Sequence, residues 1–222
     1  MRRLSRIILD NLRDITLSLY YMELTAEEKI TLETYNATAK QWSEKHATVG
    51  FWKEEMGTFR KLLPSGKILE IGSGGGRDAK ELIALGYEYV GTDISTGLIE
   101  VAKRENPHAT FLSQSVYELD FPEGTKFDGF WASAVLLHIP KVRINAALQH
   151  IKKFMRDGAV GFISLKQGDG ERIEEDKRFF VYYYEEEFRQ VLQGNSFEVV
   201  QTTVRSMSGK TTWLCFFVRV HK

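Results

Sequence analysis

The stretch that decides the fold is Lys67-Ile68-Leu69-Glu70-Ile71-Gly72-Ser73-Gly74-Gly75-Gly76-Arg77-Asp78, in which an apolar strand runs into a glycine-rich turn and then a helix. Glycines adopt left-handed backbone conformations easily, and they let a ligand approach the main chain closely at a helix N-terminus. The glycines follow the pattern G-x-G-x-G, and Arg77 stands at the third glycine position of the dinucleotide pattern G-x-G-x-x-G. The turn therefore disfavours a dinucleotide pyrophosphate.

Strand-like and helix-like segments alternate after this turn, which predicts a mostly parallel sheet with helices on both faces. We expect strands near 67–71, 87–92, 109–112, 127–133 and 159–165, and helices near 77–85, 95–105, 141–156 and 185–193. Two final strands, about 197–205 and 211–220, are joined by a short polar link, so they should form an antiparallel hairpin. The predicted fold is a doubly wound α/β domain with a seven-stranded mixed sheet, six strands parallel and one antiparallel.

Helices are predicted before the sheet. Residues 1–24 carry apolar side chains at helical spacing, and we favour packing on the domain or a dimer contact over a membrane surface. Thr25 and Glu28 form a capping-box pattern that opens a second helix, and a third helix is expected near 51–63. We expect residues 1–63 to form a helical extension and lid, and residues 64–222 to form the core of a single domain.

Composition narrows the classes of function. The 222 residues carry 30 basic and 30 acidic side chains, so no global field attracts nucleic acid or an anionic membrane. The only cysteine, Cys215, excludes an intramolecular disulfide and any multi-cysteine metal site, and it should be a buried strand residue. We expect no metal. The sequence shows neither a membrane-spanning apolar run nor a signal peptide, so we expect a cytoplasmic protein.

A carboxylate ends the second predicted strand. Asp93 follows Tyr87-Glu88-Tyr89-Val90-Gly91-Thr92 about 20 residues after the glycine turn, where a ribose lies in doubly wound folds. Asp93 could accept hydrogen bonds from both ribose hydroxyls. The alternative is that Asp93 caps the following helix.

These features together resemble the class I S-adenosylmethionine (SAM)-dependent methyltransferases of small-molecule type over about residues 30–205. The resemblance implies SAM as cofactor and S-adenosylhomocysteine (SAH) as product. It places Glu70 near the cofactor's amino group, the glycine turn at its methionine portion, and Asp93 at its ribose. The residues assigned to this part of the cofactor site are Glu70, Gly72, Ser73, Gly74, Gly76, Arg77, Asp78, Asp93 and Ile94.

The segment Phe111–Leu119 resembles the part of these enzymes that contacts adenine. The family usually has an acidic residue where Ser115 stands. Gln114 or Ser115 could still accept a hydrogen bond from the adenine amino group, and Val116 could donate its backbone N–H. We assign all three residues to the cofactor site.

The segment Phe127–Pro140 resembles the family's fourth strand and the turn after it. This turn lies at the topological switch point, so Ala132, Ser133 and Leu137 should touch cofactor or acceptor. His138 lies at the same edge, and we name it the candidate catalytic base because an imidazole titrates near neutral pH. The alternative is a histidine that only packs or caps.

Two further segments complete the predicted site. Tyr35-Asn36-Ala37-Thr38-Ala39-Lys40-Gln41-Trp42 resembles a lid segment of the family, so we assign Tyr35 and Trp42 to the cofactor site, with core packing as the alternative. The region 166–184 often covers the acceptor in the family. We therefore assign Lys166, Tyr182 and Tyr183, with His138, to the substrate pocket. An aromatic strand buried under a loop is the alternative.

The resulting prediction is a methyltransferase that moves the SAM methyl group to a small-molecule acceptor by in-line displacement. One alternative is a tRNA-modifying methyltransferase, since Arg178-Phe179-Phe180-Val181-Tyr182 resembles a stretch in some wobble-uridine enzymes, although the zero net charge counts against tRNA. Another is a non-catalytic SAM-binding regulatory protein, which the departure at Ser115 mildly supports. The acceptor and the oligomeric state are left open.

Overall fold

A computed structural model describes residues 23–207 and 211–222 of the chain. Seven strands form one sheet in the order β3-β2-β1-β4-β5-β9-β8. Their bounds are β1 Lys67–Ile71, β2 Glu88–Asp93, β3 Thr110–Ser113, β4 Phe127–Ser133, β5 Met155–Lys166, β8 Phe197–Met207 and β9 Thr211–Val220. Strand β9 is antiparallel to both β5 and β8, whereas β1 to β5 pair in parallel. The predicted mixed sheet, with six strands parallel and one antiparallel, is confirmed.

Within residues 23–207 and 211–222, six α-helices lie between and before the strands: α1 Ala26–Lys45, α2 Lys53–Leu62, α3 Arg77–Ala84, α4 Thr96–Glu105, α5 Ile144–Phe154 and α6 Glu185–Gly194. Helix α1 begins with the predicted capping box, in which the Glu28 N–H donates to Thr25 Oγ1 (3.3 Å) and the Thr25 N–H donates to Glu28 Oε2 (2.8 Å). None of the helices in this part of the chain is long and apolar enough to cross a membrane. The helix predicted over 1–24 and the centre of the link at 206–210 lie outside the described residues.

The two faces of the sheet pack on different helices, because successive strand residues point to opposite sides. On one face, Phe162 of β5 stacks on Trp131 of β4 with ring centroids 3.9 Å apart, beneath Phe59 of α2. On the other face, Ile163 packs in a cluster that includes Leu148 of α5. Cys215 is buried in β9 on the first of these faces, in agreement with its prediction as a strand residue.

One element was not predicted. A separate two-stranded hairpin is formed by β6 Glu171–Ile173 and β7 Phe179–Val181. Each strand has only three residues, which is too short for a period-two pattern to stand out, and β6 is exposed. Strand β5 also begins earlier than predicted, at Met155, because an irregularity in its pairing with β4 between Phe127 and Gly129 accommodates the extra residues.

Helix α1 lies across the carboxyl edge of the sheet and is docked there by two polar side chains. Asn36 Oδ1 accepts a hydrogen bond from the Ser95 hydroxyl (2.7 Å) at the start of α4. The Phe179 N–H of β7 donates to Thr31 Oγ1 (2.8 Å). These contacts hold α1 over the ends of β1, β2 and β4, where the first helix of the sheet also begins.

Candidate active site

A cavity of about 620 Å³ lies between helix α1 and the carboxyl ends of β1, β2, β4 and β5. Its floor is the glycine turn that links β1 to α3. In parallel α/β sheets this edge is where ligands bind, because the loops diverge there. The cavity falls within the range of about 300–1,000 Å³ that is usual for small-molecule sites.

The glycine turn is fastened to the end of β2 through a carboxylate. Asp93 Oδ2 accepts a hydrogen bond from the Gly74 N–H (2.9 Å), and its Oδ1 accepts one from the Ser95 N–H (2.8 Å). Burial raises the pKa of Asp93, while these backbone donors act in the opposite direction. Gly74 has a φ of +53° and no atom within 4 Å of where a Cβ would stand, so the turn leaves open space beside Asp93.

Two more carboxylates lie beneath this turn. Glu70 is buried and accepts a hydrogen bond from the Tyr89 hydroxyl. Asp78 is also buried, and it accepts hydrogen bonds from Arg77 Nε (2.6 Å) and Trp131 Nε1 (3.0 Å). Burial, together with the nearby charge of Asp78, raises the pKa of Glu70 well above its usual value. This end of the cavity is therefore rich in acidic groups.

The segment predicted to contact adenine lines the same cavity through Gln114, Ser115 and Val116. Two of its side chains already make local hydrogen bonds. Gln114 Nε2 donates to the Asp120 carbonyl (2.8 Å), and Ser115 Oγ accepts from the Tyr117 N–H (3.2 Å). These contacts fold the segment after β3 into a turn and leave its backbone beside the cavity.

His138 lies in a 3₁₀ turn after β4 and is the centre of a hydrogen-bond chain. Its Nδ1 lies 2.6 Å from the Phe179 carbonyl, which only accepts, so Nδ1 carries the proton and donates. Its Nε2 then accepts from the Tyr35 hydroxyl at 2.9 Å. Arg178 Nη1 in turn donates to that hydroxyl (2.8 Å). Burial lowers the pKa of His138 to about 3, so the ring is neutral near pH 7.

The far end of the cavity is aromatic and cationic. The Lys166 ammonium at the end of β5 lies 3.6 Å from the centroid of the Phe180 ring. The Arg178 guanidinium lies 4.4 Å from the Trp42 ring and 5.0 Å from the Phe180 ring. Both basic side chains line the cavity.

Most of the residues predicted from sequence line this one cavity: Tyr35, Trp42, Glu70, Gly72, Ser73, Gly74, Arg77, Asp78, Asp93, Ile94, Gln114, Ser115, Val116, Ser133, Leu137, His138 and Lys166. Gly76, Ala132, Tyr182 and Tyr183 do not. Gly76 packs against Asn106 of α4, and Ala132 is buried within β4. The Tyr182 hydroxyl donates to Glu174, and the Tyr183 ring packs on Phe188 of α6. Neither tyrosine lines the cavity, although the Tyr182 ring lies 5.9 Å from Lys166 Nζ.

The prediction missed several residues that form the wall of the cavity, notably Arg178, Phe180, Trp213, Phe51 and Trp52. Arg178 and Phe180 belong to the short motif Arg178-Phe179-Phe180-Val181-Tyr182, which did not by itself predict that they line the cavity. Trp213 pairs with Lys166 between β5 and β9. The predicted hairpin at the end of the sheet was the sequence signal that could have placed Trp213 near the site. Phe51 and Trp52 lie in the connection between α1 and α2, which carries no recognisable motif.

Comparison with known proteins agrees with this architecture. Residues 68–158 match the family described as a methyltransferase domain. Among solved structures, a 1,6-didemethyltoxoflavin-N1-methyltransferase from Burkholderia thailandensis superposes with a TM-score of 0.75 at 18% identity, over 91% of this chain and 93% of that one. That protein was crystallised with 1,6-didemethyltoxoflavin and SAH.

Two other structures have the same fold. A magnesium protoporphyrin IX methyltransferase from Synechocystis PCC 6803 with bound SAM has a TM-score of 0.67 at 18% identity, over 90% of this chain and 99% of that one. An N-methyltransferase from Bradyrhizobium japonicum in complex with SAH also has a TM-score of 0.67, at 15% identity, over 88% of this chain and all (100%) of that one. No curated protein sequence matches the chain significantly.

Proposed function

We propose that this chain, which contains a methyltransferase domain at residues 68–158 and has the Rossmann-like fold of class I SAM-dependent methyltransferases, transfers the methyl group of SAM to a small-molecule acceptor. The observation that carries the proposal is the hydrogen bond from the Gly74 N–H to Asp93 at the wall of an open cavity. It joins the glycine turn to the carboxylate that ends β2. The three similar structures contain SAM or SAH, which supports the same cofactor here.

The residues around the glycine turn fit this cofactor. Ser73 Oγ is buried and has no hydrogen-bond partner among the described residues, so a ligand would satisfy it. Gly74 leaves open the space that a side chain would fill. Asp93, already held by two backbone N–H groups, has the acceptor capacity that ribose hydroxyls require. The carboxyl groups of Glu70 and Asp78 offer hydrogen-bond acceptors to an ammonium group.

Bound SAM would supply an electrophilic methyl group on a positively charged sulfur. The chain's own contribution is to align an acceptor with that methyl group and to keep water out. Tyr35 and Trp42 of α1 cover the cavity, and Leu137 and Phe180 add apolar surface to its wall. Such alignment is sufficient for an acceptor that is already ionised or is a neutral amine.

We assign His138 a positioning role in place of the catalytic role that its location in the sequence predicts. Its Nε2 is the only atom of the neutral ring that could take a proton, and the Tyr35 hydroxyl occupies it. His138 thereby holds α1 against the turn after β4. Proton removal from the acceptor is not part of the proposed mechanism.

Calorimetric titration with SAH tests the proposal. The wild-type chain should bind SAH saturably, and Asp93→Asn should weaken the binding at least about tenfold because a charged acceptor is lost. Asp157→Asn changes a matched carboxylate that is exposed and accepts only from the Lys222 N–H, and it should bind as the wild type does. Transfer of radiolabelled methyl groups from SAM to a panel of small acceptors completes the test. A folded wild-type protein that binds neither SAM nor SAH would rule out the proposal.

A further inference from the structure

Lys166 presents an ammonium group to the cavity without a hydrogen bond. Its closest carboxylate oxygen, on Glu174, is 3.8 Å away, so the two side chains form an ion pair without a hydrogen bond. Within residues 23–207 and 211–222 its Nζ donates to no acceptor, and its closest aromatic contact is the face of Phe180 at 3.6 Å. Burial lowers the pKa of Lys166, whereas the charge of Glu174 acts in the opposite direction. A partly buried ammonium with free donors favours an anionic partner.

Arg178, the other cation at this end, is already committed to protein groups. Its Nη1 donates to the Tyr35 hydroxyl (2.8 Å), and its Nε donates to Asp176 (2.9 Å). Its guanidinium also packs over the Trp42 ring. Arg178 therefore contributes positive potential and a rigid wall, while the donors of Lys166 stay available for a ligand.

The charges in the cavity are separated along the edge of the sheet. The buried Glu70 and the partly exposed Asp93 lie at the carboxyl ends of β1 and β2, where Arg77 pairs with Asp78, whereas Lys166 ends β5. Glu70 is in register with Trp131 of β4 and through it with Phe162 of β5, and Lys166 lies four residues further along β5, so Glu70 and Lys166 stand roughly 16 Å apart. One end of the cavity thus suits a cationic molecule and the other suits an anionic one.

Aromatic rings form the walls around Lys166. Phe180 lies beneath its ammonium group, and Trp213 is its backbone partner on the neighbouring strand β9, with its ring edge to face against Trp52. Tyr35 and Trp42 contact each other edge to face, with ring centroids 5.3 Å apart, on the side of α1. Flat rings bind best against such surfaces, through offset or edge-to-face contacts.

We propose that the acceptor is a flat aromatic molecule bearing an ionised oxygen, either a carboxylate or a phenolate, and that Lys166 is the residue that selects it. The inference rests on the proposed function, since it assigns the acidic end of the cavity to SAM. The anionic oxygen receives a hydrogen bond from the ammonium of Lys166, and the ring lies among Phe180, Trp213 and Trp42. The binding offsets the repulsion between the charges of Lys166 and Arg178.

Calorimetry on protein saturated with SAH tests the inference with four simple probes of similar shape. Benzoate carries a carboxylate, 4-nitrophenolate carries a phenolate at mildly alkaline pH, benzamide is neutral, and benzylamine is cationic. We expect at least one of the two anions to bind at least about tenfold more tightly than benzamide, and benzylamine to bind most weakly. The better of the two anions identifies the kind of oxygen that Lys166 prefers.

Three variants connect the binding to Lys166. Lys166→Met should abolish the preference for the anions, and Lys166→Arg should retain it within a few-fold. Lys153→Met is the matched control, because Lys153 also lies over an aromatic ring, that of Phe154 at 5.3 Å, but outside the cavity. All three variants should bind SAH as the wild type does, which shows that they are folded.

The outcomes separate this inference from the proposed function. If SAH binds but benzamide or benzylamine binds as well as the anions, or if Lys166→Met keeps the preference for anions, the inference is wrong and the proposed function stands. If the wild type does not bind SAH, both the proposed function and this inference are wrong. The binding of the four probes to the wild type tests the inference even if a substitution prevents folding.

Discussion

The hydroxyl of Tyr35 in helix α1 lies 2.9 Å from Nε2 of His138 in the turn after β4, so one hydrogen bond joins α1 to the part of the cavity wall that follows β4. The opposite ring nitrogen of His138 is held by the Phe179 carbonyl. Both ring nitrogens are therefore bonded in a way that keeps the His138 ring neutral. Because the ring can bind a proton in the unfolded chain, the stability of the folded chain should depend on pH.

Replacing His138 should change how stability responds to acid. The pKa of His138 is lowered to about 3 in the folded chain, so between this value and about 6.5 only the unfolded state binds the proton. The free energy of unfolding therefore falls as the pH drops through this window. Between about pH 7 and about pH 5, the wild type should lose roughly 2 kcal/mol more than His138→Gln, measured by urea unfolding.

His150→Gln serves as the control for that experiment, since His150 is half-buried on α5 and bonds only to the Ala146 carbonyl. The control should follow the wild type at both pH values. Equal acid sensitivity of the wild type and His138→Gln would show that His138 is not held neutral.

Gly75 should be required for the packing of α1. A Cβ added at Gly75 would stand 2.3 Å from Ser43 Oγ and 2.9 Å from Ser43 Cβ. Gly75→Ala should therefore push α1 away from the glycine turn, cost about 1–3 kcal/mol of stability and weaken SAH binding. Gly57→Ala, at an exposed helical position with open space, should instead stabilise the chain by about 0.5–1 kcal/mol.

A double-mutant cycle distinguishes this contact from a general intolerance of alanine. Ser43→Gly removes the clashing side chain, so the double variant should be more stable than the sum of the single effects predicts. Strict additivity of the two free energies would mean that the contact between α1 and the turn is absent.

Arg143 should be needed to keep Glu28 in place. Both side chains are buried and form an ion pair, and the Tyr117 hydroxyl also donates to Glu28 (2.7 Å). Arg143→Met leaves an unpaired buried carboxylate and should cost about 3–5 kcal/mol in chemical unfolding. Arg156→Met breaks a more exposed pair with Asp128 and should cost only about 0–1 kcal/mol.

The double variant Glu28→Gln with Arg143→Met tests the cause of that loss. The amide keeps a hydrogen-bond acceptor for Tyr117 without the charge, so much of the lost stability should return. A double variant as unstable as Arg143→Met would point to lost packing of the arginine rather than to an uncompensated charge.

The sheet could be predicted from the sequence because the residues that mark its strands lie close to them in the chain. The glycine turn after β1, the carboxylate at Asp93 and the apolar run at Phe127 each mark a strand end within a few residues. The polar link near residue 208 also predicted that β8 and β9 are antiparallel neighbours, which the pairing of Phe216 with Thr202 confirms.

The far end of the cavity could not be predicted in the same way, because its contacts join residues distant in sequence. Arg178 reaches Tyr35, 143 positions away, and no local pattern encodes that contact. All three residues of β7 are buried, so no alternation indicated that Phe180 would line the cavity while Tyr182 would not. The prediction assigned Tyr182 and Tyr183 to the pocket, whereas the aromatic residue that lines the cavity is Phe180, two and three residues earlier.

The β6–β7 hairpin is a separate small sheet, and it contacts the end of β5 through the bridge between Gln167 and Tyr183 and through Lys166, which lies over Phe180. It reaches α1 through Thr31 and Tyr35. A graft that exchanges this hairpin for another of the same span would therefore change what the far end of the cavity recognises and leave the glycine turn untouched. Divergence of acceptor preference on this scaffold requires that the incoming segment keep a main-chain donor for Thr31, a main-chain acceptor for His138 and a guanidinium for Tyr35.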